Sequence, residues 1–228
     1  MPAPPIVYIV CSGRHRIGKT LLARVLIDYL LLDQRNPFVF DADWPDGPLR
    51  KHFPDRAVRV DLKHITGQMK LFDTILSLPS SDHVIDIPAG DTQRFSDACA
   101  TIEFSNEARR QGFKVVVLYI VEATEEAAWA AQVMNSKVLP DLFVPVHNLS
   151  AGSVWPEMAR LLTITMPDLG PELAAVLTAK DLSFRPLMLR DLGPVPEHLR
   201  AGLNVFLYEL MIGFRDIELA LSRTATAR

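Results

Sequence analysis

A chain of 228 residues, 49% of them hydrophobic, has the size for one substantial α/β domain or a domain with a small appendage. Its formal charge of −3 argues against a protein whose whole surface attracts nucleic acid, while leaving room for a local basic face. The cysteines, Cys11 and Cys99, lack metal-ligand spacing, and no uncharged apolar run approaches the roughly 20 residues that a membrane span requires. Met1-Pro2-Ala3-Pro4-Pro5 lacks the basic start of a secretory signal, so a cytoplasmic protein with reduced, buried thiols is expected.

The first predicted element is a buried strand over Ile6–Cys11, an unbroken apolar run. Gly13-Arg14-His15-Arg16-Ile17-Gly18-Lys19-Thr20 follows and spells G-x-x-x-x-G-K-T, the phosphate-binding P-loop. Leu21, Leu22, Val25, Leu26, Tyr29 and Leu30 then recur at helical spacing. Gln34-Arg35-Asn36-Pro37 breaks that helix, and Phe38-Val39-Phe40 starts a second strand that ends in Asp41-Ala42-Asp43. A short strand is expected over Val58–Leu62, then a helix through Met69 and Phe72 to Leu78, then a strand over His83–Ile87 that stops at Pro88-Ala89-Gly90. A long helix over about Arg94–Gln111 leads to the clearest buried strand, Lys114–Val121. Beyond it come a helix over Glu125–Met134, a strand over Asp141–His147, a short strand over Ile164–Pro167 and a helix over Glu172–Lys180. Arg185–Pro196 is Pro-rich and irregular by pattern, and a final helix runs from about Glu197 to Leu221. Strands alternating with helices at this spacing predict an α/β fold with a mostly parallel sheet and helices on both faces, the three-layer α/β/α arrangement of a P-loop NTPase. No internal repeat or linker divides the chain, so a single domain over 1–228 with a C-terminal helical region from about 197 is expected.

The chemistry follows from the loop. Main-chain N–H groups converging on a polyphosphate need glycine where the chain bends, and the next helix turns the positive end of its dipole to the same phosphates. Residues 13–21, Gly13 to Leu21, are the expected nucleotide contacts. Lys19 supplies a mobile charge for the β- and γ-phosphates, and the Thr20 hydroxyl is a Mg²⁺ ligand. Asp86 closes an apolar run, where a carboxylate holds Mg²⁺ through water; a solvated strand-end Asp is the bland alternative. Of Asp41 and Asp43, one can face the metal or support the loop and the other orient a water, with turn capping as the rival role. An N/T-K-x-D guanine box is missed by Thr178-Ala179-Lys180-Asp181, with its lysine one place late, so ATP is favoured over GTP.

Ser12–Thr20 resembles the deviant Walker A loop of ParA/MinD-type ATPases, S/x-G-K-G-G-V-G-K-T. Asp41-Ala42-Asp43 is similar to that family's D-x-D after strand two, and Asp86-Ile87-Pro88-Ala89-Gly90 to its D-x-P-x-G switch. The resemblance covers about Ile6 to Gly90. It implies Lys19, Asp43 and Arg14 as catalytic residues, with Asp43 positioning the attacking water, Thr20 and Asp86 at the metal, and Asp41 supporting the metal and switch. It also implies Asn148 reading adenine, against which stands the ordinary capping of a strand end. Arg14 occupies the position of the family's extra lysine, which reaches across a nucleotide-sandwiched dimer, and its guanidinium fork suits phosphate. His15 and Arg16 replace two glycines and would reshape the approach of a second subunit; a solvated basic loop is the plain alternative for all three.

The function implied is a slow Mg²⁺-dependent ATPase acting as a nucleotide switch in DNA or plasmid partition, conjugation or cargo positioning. Its expected partners are a second copy of the chain and DNA or a partner protein. A dethiobiotin-synthetase-like ligase and a non-hydrolysing interaction module are the alternatives. From Arg185 onward basic and acidic residues nearly balance, which is no positive sign of DNA binding.

Overall fold

The computed structural model describes residues 4–45, 47–152, 162–179, 183–189, 191 and 195–226. Seven strands form one sheet: β1 (Ile6–Cys11), β2 (Phe38–Asp41), β3 (Ala57–Arg59), β4 (His83–Asp86), β5 (Lys114–Val121), β6 (Leu142–Asn148) and β7 (Ile164–Met166). Their order is β3-β2-β4-β1-β5-β6-β7, and every pairing is parallel. Parallel strands need crossovers, which put helices on both faces, so the strands read as continuous apolar runs.

Alternation along the central strands divides the core in two. Tyr8, Val10, Val116, Leu118 and Ile120 face one layer, packed by α1 (Lys19–Leu32), α7 (Gly170–Ala179), α8 (Phe184–Met188) and α9 (Glu197–Thr226) through Leu22, Leu26, Leu173, Phe184, Phe206 and Phe214. Val7, Ile9, Cys11, Val115, Val117 and Tyr119 face the other, packed by α3 (Ile65–Ser77), α4 (Thr92–Thr101), α5 (Phe104–Arg110) and α6 (Glu125–Val138). The short α2 (Pro48–His52) closes the turn after β2. Cys11 and Cys99 are free and buried, as expected from their context.

Several elements differ from expectation. The helix predicted over Arg94–Gln111 is two helices, with Glu103 left-handed at φ 50° between them. Its buried residues explain the break: Phe95 and Cys99 are four apart, but Phe104 comes five later and would leave the buried face of a continuous helix. After the break Phe104 meets Phe72 with ring centroids 5.0 Å apart. Within the stretch expected to be irregular, Ser183 caps α8 by accepting from the Arg185 N–H, and buried Asp28 accepts the Phe184 N–H at 2.6 Å. Pro186 fits there because the first helical turn has no use for its missing N–H. Finally, β3 covers Ala57–Arg59 rather than Val58–Leu62, while α6 and α9 run past their predicted ends to Val138 and Thr226.

Candidate nucleotide site

The site forms at the carboxyl ends of β1, β2 and β4, where the registers place Val10 beside Asp86 and Asp86 beside Asp41. In an open α/β sheet this edge is where ligands bind. The loop from Gly13 to Gly18 joins β1 to α1 and closes with Gly18 at φ 97°. A Cβ at Gly18 would also meet Asn148 Nδ2 and Met166 at 3.2 Å, so glycine is required twice over. Arg16 holds φ 57°, a left-handed backbone that glycine adopts without strain. Gly13, Arg14, His15 and Arg16 are exposed, Ile17 is buried, and Leu21 sends its side chain to the core, leaving its main chain for a ligand.

Lys19 is folded over this loop. Its Nζ donates to Arg14 O at 2.8 Å and reaches Ser12 Oγ at 3.4 Å. Burial lowers its pKa, and the charge of Asp86 opposes that most strongly. An ammonium held by loop carbonyl and hydroxyl oxygens has only weak neutral partners, which a polyphosphate would replace with charged ones. Thr20 Oγ1 donates to Asp86 Oδ2 at 2.7 Å. Burial pushes the Asp86 carboxyl up to about 7, with the Thr20 bond opposing and the charge of Asp41 adding to the rise. A buried hydroxyl–carboxylate pair short of cationic charge fits Mg²⁺. Among the described residues no group of three or more His, Cys, Asp or Glu is placed to hold a metal ion by itself, so a cation here would take its remaining ligands from phosphate and water.

The two aspartates after β2 have different surroundings. Asp41 is fully buried and accepts N–H groups from Asp43 at 3.1 Å and Arg50 at 2.9 Å; burial raises its pKa while these bonds oppose the rise. Gly47 makes this possible, because a Cβ there would lie 2.8 Å from Asp41 Oδ2. Asp41 therefore braces the turn, the rival role foreseen for it, while its charge still reaches Asp86. Asp43 is exposed, and its charge acts on both Lys19 and Asp86. Asn148 donates from Nδ2 to Ile17 O at 2.9 Å and accepts the Ser150 N–H at 3.0 Å, tying β6 to the loop.

Three further residues complete the site. Ser12 is fully buried, and its Oγ accepts the Arg14 N–H at 3.2 Å. Thr92, at the start of α4, donates to Ser12 O at 2.9 Å and so joins the turn after β4 to the P-loop. Glu122, just beyond β5, lies 3.5 Å from Arg14 Nη1. Thr92 sits six residues past Asp86 and had no motif to mark it; Glu122 becomes visible only when β5 is laid beside β1.

This fold and loop define a three-layer α/β/α P-loop NTPase architecture. MinD cell division protein of Aquifex aeolicus has the same fold: the likeness covers 93% of this chain and 97% of that one, with a TM-score of 0.56 and 15% identity. At that identity the likeness is one of fold. Two weaker likenesses are to a nucleotide-binding protein from Archaeoglobus fulgidus in complex with ADP (13% identity, 75% and 85% covered, TM-score 0.46) and a plasmid partition protein from Borrelia burgdorferi (12%, 82% and 99%, 0.45). The sequence matches no protein-family model, and no curated protein matches it. Among the described residues no helix is long and apolar enough to cross a membrane.

Proposed function

We propose that this chain is a ParA/MinD-like nucleotide switch that binds ATP with Mg²⁺ and hydrolyses it slowly. The observation that carries the proposal is the Thr20–Asp86 bond of 2.7 Å beside a Lys19 ammonium folded on its own loop. It joins the P-loop to the turn after β4, the two segments that a γ-phosphate would hold in one state and release in another.

In this reading the N–H groups of residues 13–21 cradle the phosphates, and Lys19 leaves Arg14 O for their oxygens. Thr20 and Asp86 would hold Mg²⁺, which would supply charge neutralisation for the phosphates. Asp43 orients the attacking water, and Asp41 keeps Asp43 in place through its N–H. Arg14 adds a guanidinium to the phosphates, in cis or across a nucleotide-dependent homodimer. Asn148 reads adenine only by exchanging its bond to Ile17 O.

Calorimetry and phosphate release test the assignment together. Lys19→Ala is expected to lose at least about tenfold in ATP affinity, about 1.4 kcal/mol. Asp43→Ala is expected to keep ATP affinity within about threefold and lose turnover. Unchanged affinity in folded Lys19→Ala would remove the nucleotide site, and parental turnover in Asp43→Ala would remove the role of that carboxylate.

A further inference from the structure

One exposed segment of the chain carries side-chain charge that the nucleotide site does not use. Residues 48–64 contain five Lys or Arg (Arg50, Lys51, Arg56, Arg59, Lys63) against Asp55 and Asp61. That segment carries a formal +3 and the chain −3, so the rest of the molecule carries −6. All five cations are exposed. Among the described residues Arg50, Lys51, Arg59 and Lys63 have no ion pair, and Arg56 bonds only the neutral Asn36 side chain.

The segment also forms the edge of the sheet. β3 pairs with β2 on one side and has no strand on the other among the described residues. Val60 N–H donates to Asp41 O at 2.9 Å, so the alternation of a parallel ladder turns the N–H and C=O of Arg59 towards the open edge. The outward N–H of Ala57 already donates to Phe53 O at 2.8 Å, so it is the Arg59 groups, set between cations, that this edge offers to an extended anionic chain.

We propose that this edge is a docking surface for an acidic, extended segment of a partner protein, which adds to β3 as a further strand. Two physical points favour that occupant over nucleic acid. A rigid duplex extends beyond these five cations and gains no net compensation from the rest of the chain, at a formal −6, whereas a short acidic segment needs only the cations within a Debye length of about 8–10 Å. A single strand would want several exposed aromatic rings for its bases; Phe53, the one Phe, Tyr or Trp of residues 48–64, is buried, and Trp44 ahead of them offers a single exposed ring. The surface is also tied to the nucleotide site. Arg59 is in register with Asp41, and Asp41 accepts the N–H groups of both Arg50 and Asp43. The inference thus deepens the switch reading by naming its partner surface, and it is testable without nucleotide.

The probe is a fluorescein-labelled peptide of alternating Glu and Val, ten residues long, titrated with the full chain at low salt and read by anisotropy. Saturable binding is expected, weakened at least about tenfold in Arg59→Glu/Lys63→Glu and similarly in Arg50→Glu/Lys51→Glu. The same peptide with alternate amides N-methylated should bind at least about tenfold more weakly, because it cannot complete a strand. Lys19→Ala should bind the peptide as the parent does, which keeps this outcome separate from that of the nucleotide site. Equal binding by parent and charge-reversed chains, or indifference to N-methylation, overturns the proposal. Tighter binding of a 20-base-pair DNA duplex that the same reversals abolish also overturns it, and makes the face a nucleic-acid surface. No binding, with self-association appearing in the reversed chains, makes the charges a guard against edge pairing and overturns it as well.

Discussion

His83 opens β4, the strand that ends in Asp86, and its ring is fully buried among Phe38, Phe40 and Phe113. Nε2 lies 3.4 Å from Leu78 O, and Nδ1 has no hydrogen-bond partner among the described residues. A neutral ring with its proton on Nε2 suits this site; a second proton would need an acceptor that is absent there. Burial accordingly lowers the pKa from 6.5 to about 4. The group is neutral when folded, so its contribution to stability is intact above pH 6.5 and is lost as pH falls towards 4, where the unfolded chain binds the proton first. Between pH 7 and 4.5 the two pKa values give a loss of about 2 kcal/mol. Carboxylates titrate over part of the same range, so the measurement is a difference: urea unfolding of the parent and His83→Leu at pH 7, 6, 5 and 4.5. The parent should lose about 2 kcal/mol more than the variant across that interval. Parallel pH curves for the two proteins would refute the reasoning, whatever the variant's absolute stability.

Two other outcomes follow from the P-loop. Because Arg14 is mostly exposed, its pairing with Glu122 is worth under about 1 kcal/mol, so Glu122→Gln should barely change stability. It frees Arg14, and light scattering with a slowly hydrolysed ATP analogue should show more dimer in Glu122→Gln and none in Arg14→Ala; a monomeric parent and variant would leave Arg14 no role across a dimer. Arg16 at φ 57° carries left-handed strain of about 1–2 kcal/mol, so Arg16→Gly should hold or gain stability while the β-branched Arg16→Val loses about 1 kcal/mol or more. Chemical denaturation of the three proteins decides, and a stable Arg16→Val would show the loop free to change its backbone.

The parts of this protein legible in the sequence are those where one residue type satisfies one physical demand. The apolar run of β5 could only be a strand buried on both faces, and Gly18-Lys19-Thr20 marked the turn into α1. What stayed hidden depends on contacts between distant segments. The break at Glu103 is visible only once Phe104 is seen to pack on Phe72, and α8 forms because Asp28, 156 residues before Phe184, accepts its N–H. The basic edge is hidden in the sequence for a related reason. Its cations are spread from α2 through β3 to the following loop, and no motif shows that β3 lies at the border of the sheet.

The P-loop separates what its backbone does from what its side chains do. ParA/MinD-type loops place glycine at the positions of His15 and Arg16, and glycine serves two ends there: it permits positive φ, and it lets another molecule come close. The first end is met here without glycine, since Arg16 adopts the left-handed backbone at the cost of strain. In the proposed function phosphate binding would depend on that backbone and on Gly18, Lys19 and Thr20, and would be compatible with the change. The second end is not met. Arg14, His15 and Arg16 are all exposed, and any subunit approaching the phosphates meets two guanidinium groups and an imidazole before it meets the loop. Such an approach is favourable only to a surface that supplies negative charge, such as the nucleotide bound to a second copy. In the proposed switch, then, the loop would pair a backbone suited to phosphate with an electrostatic condition on assembly, where the loops it resembles set a steric one.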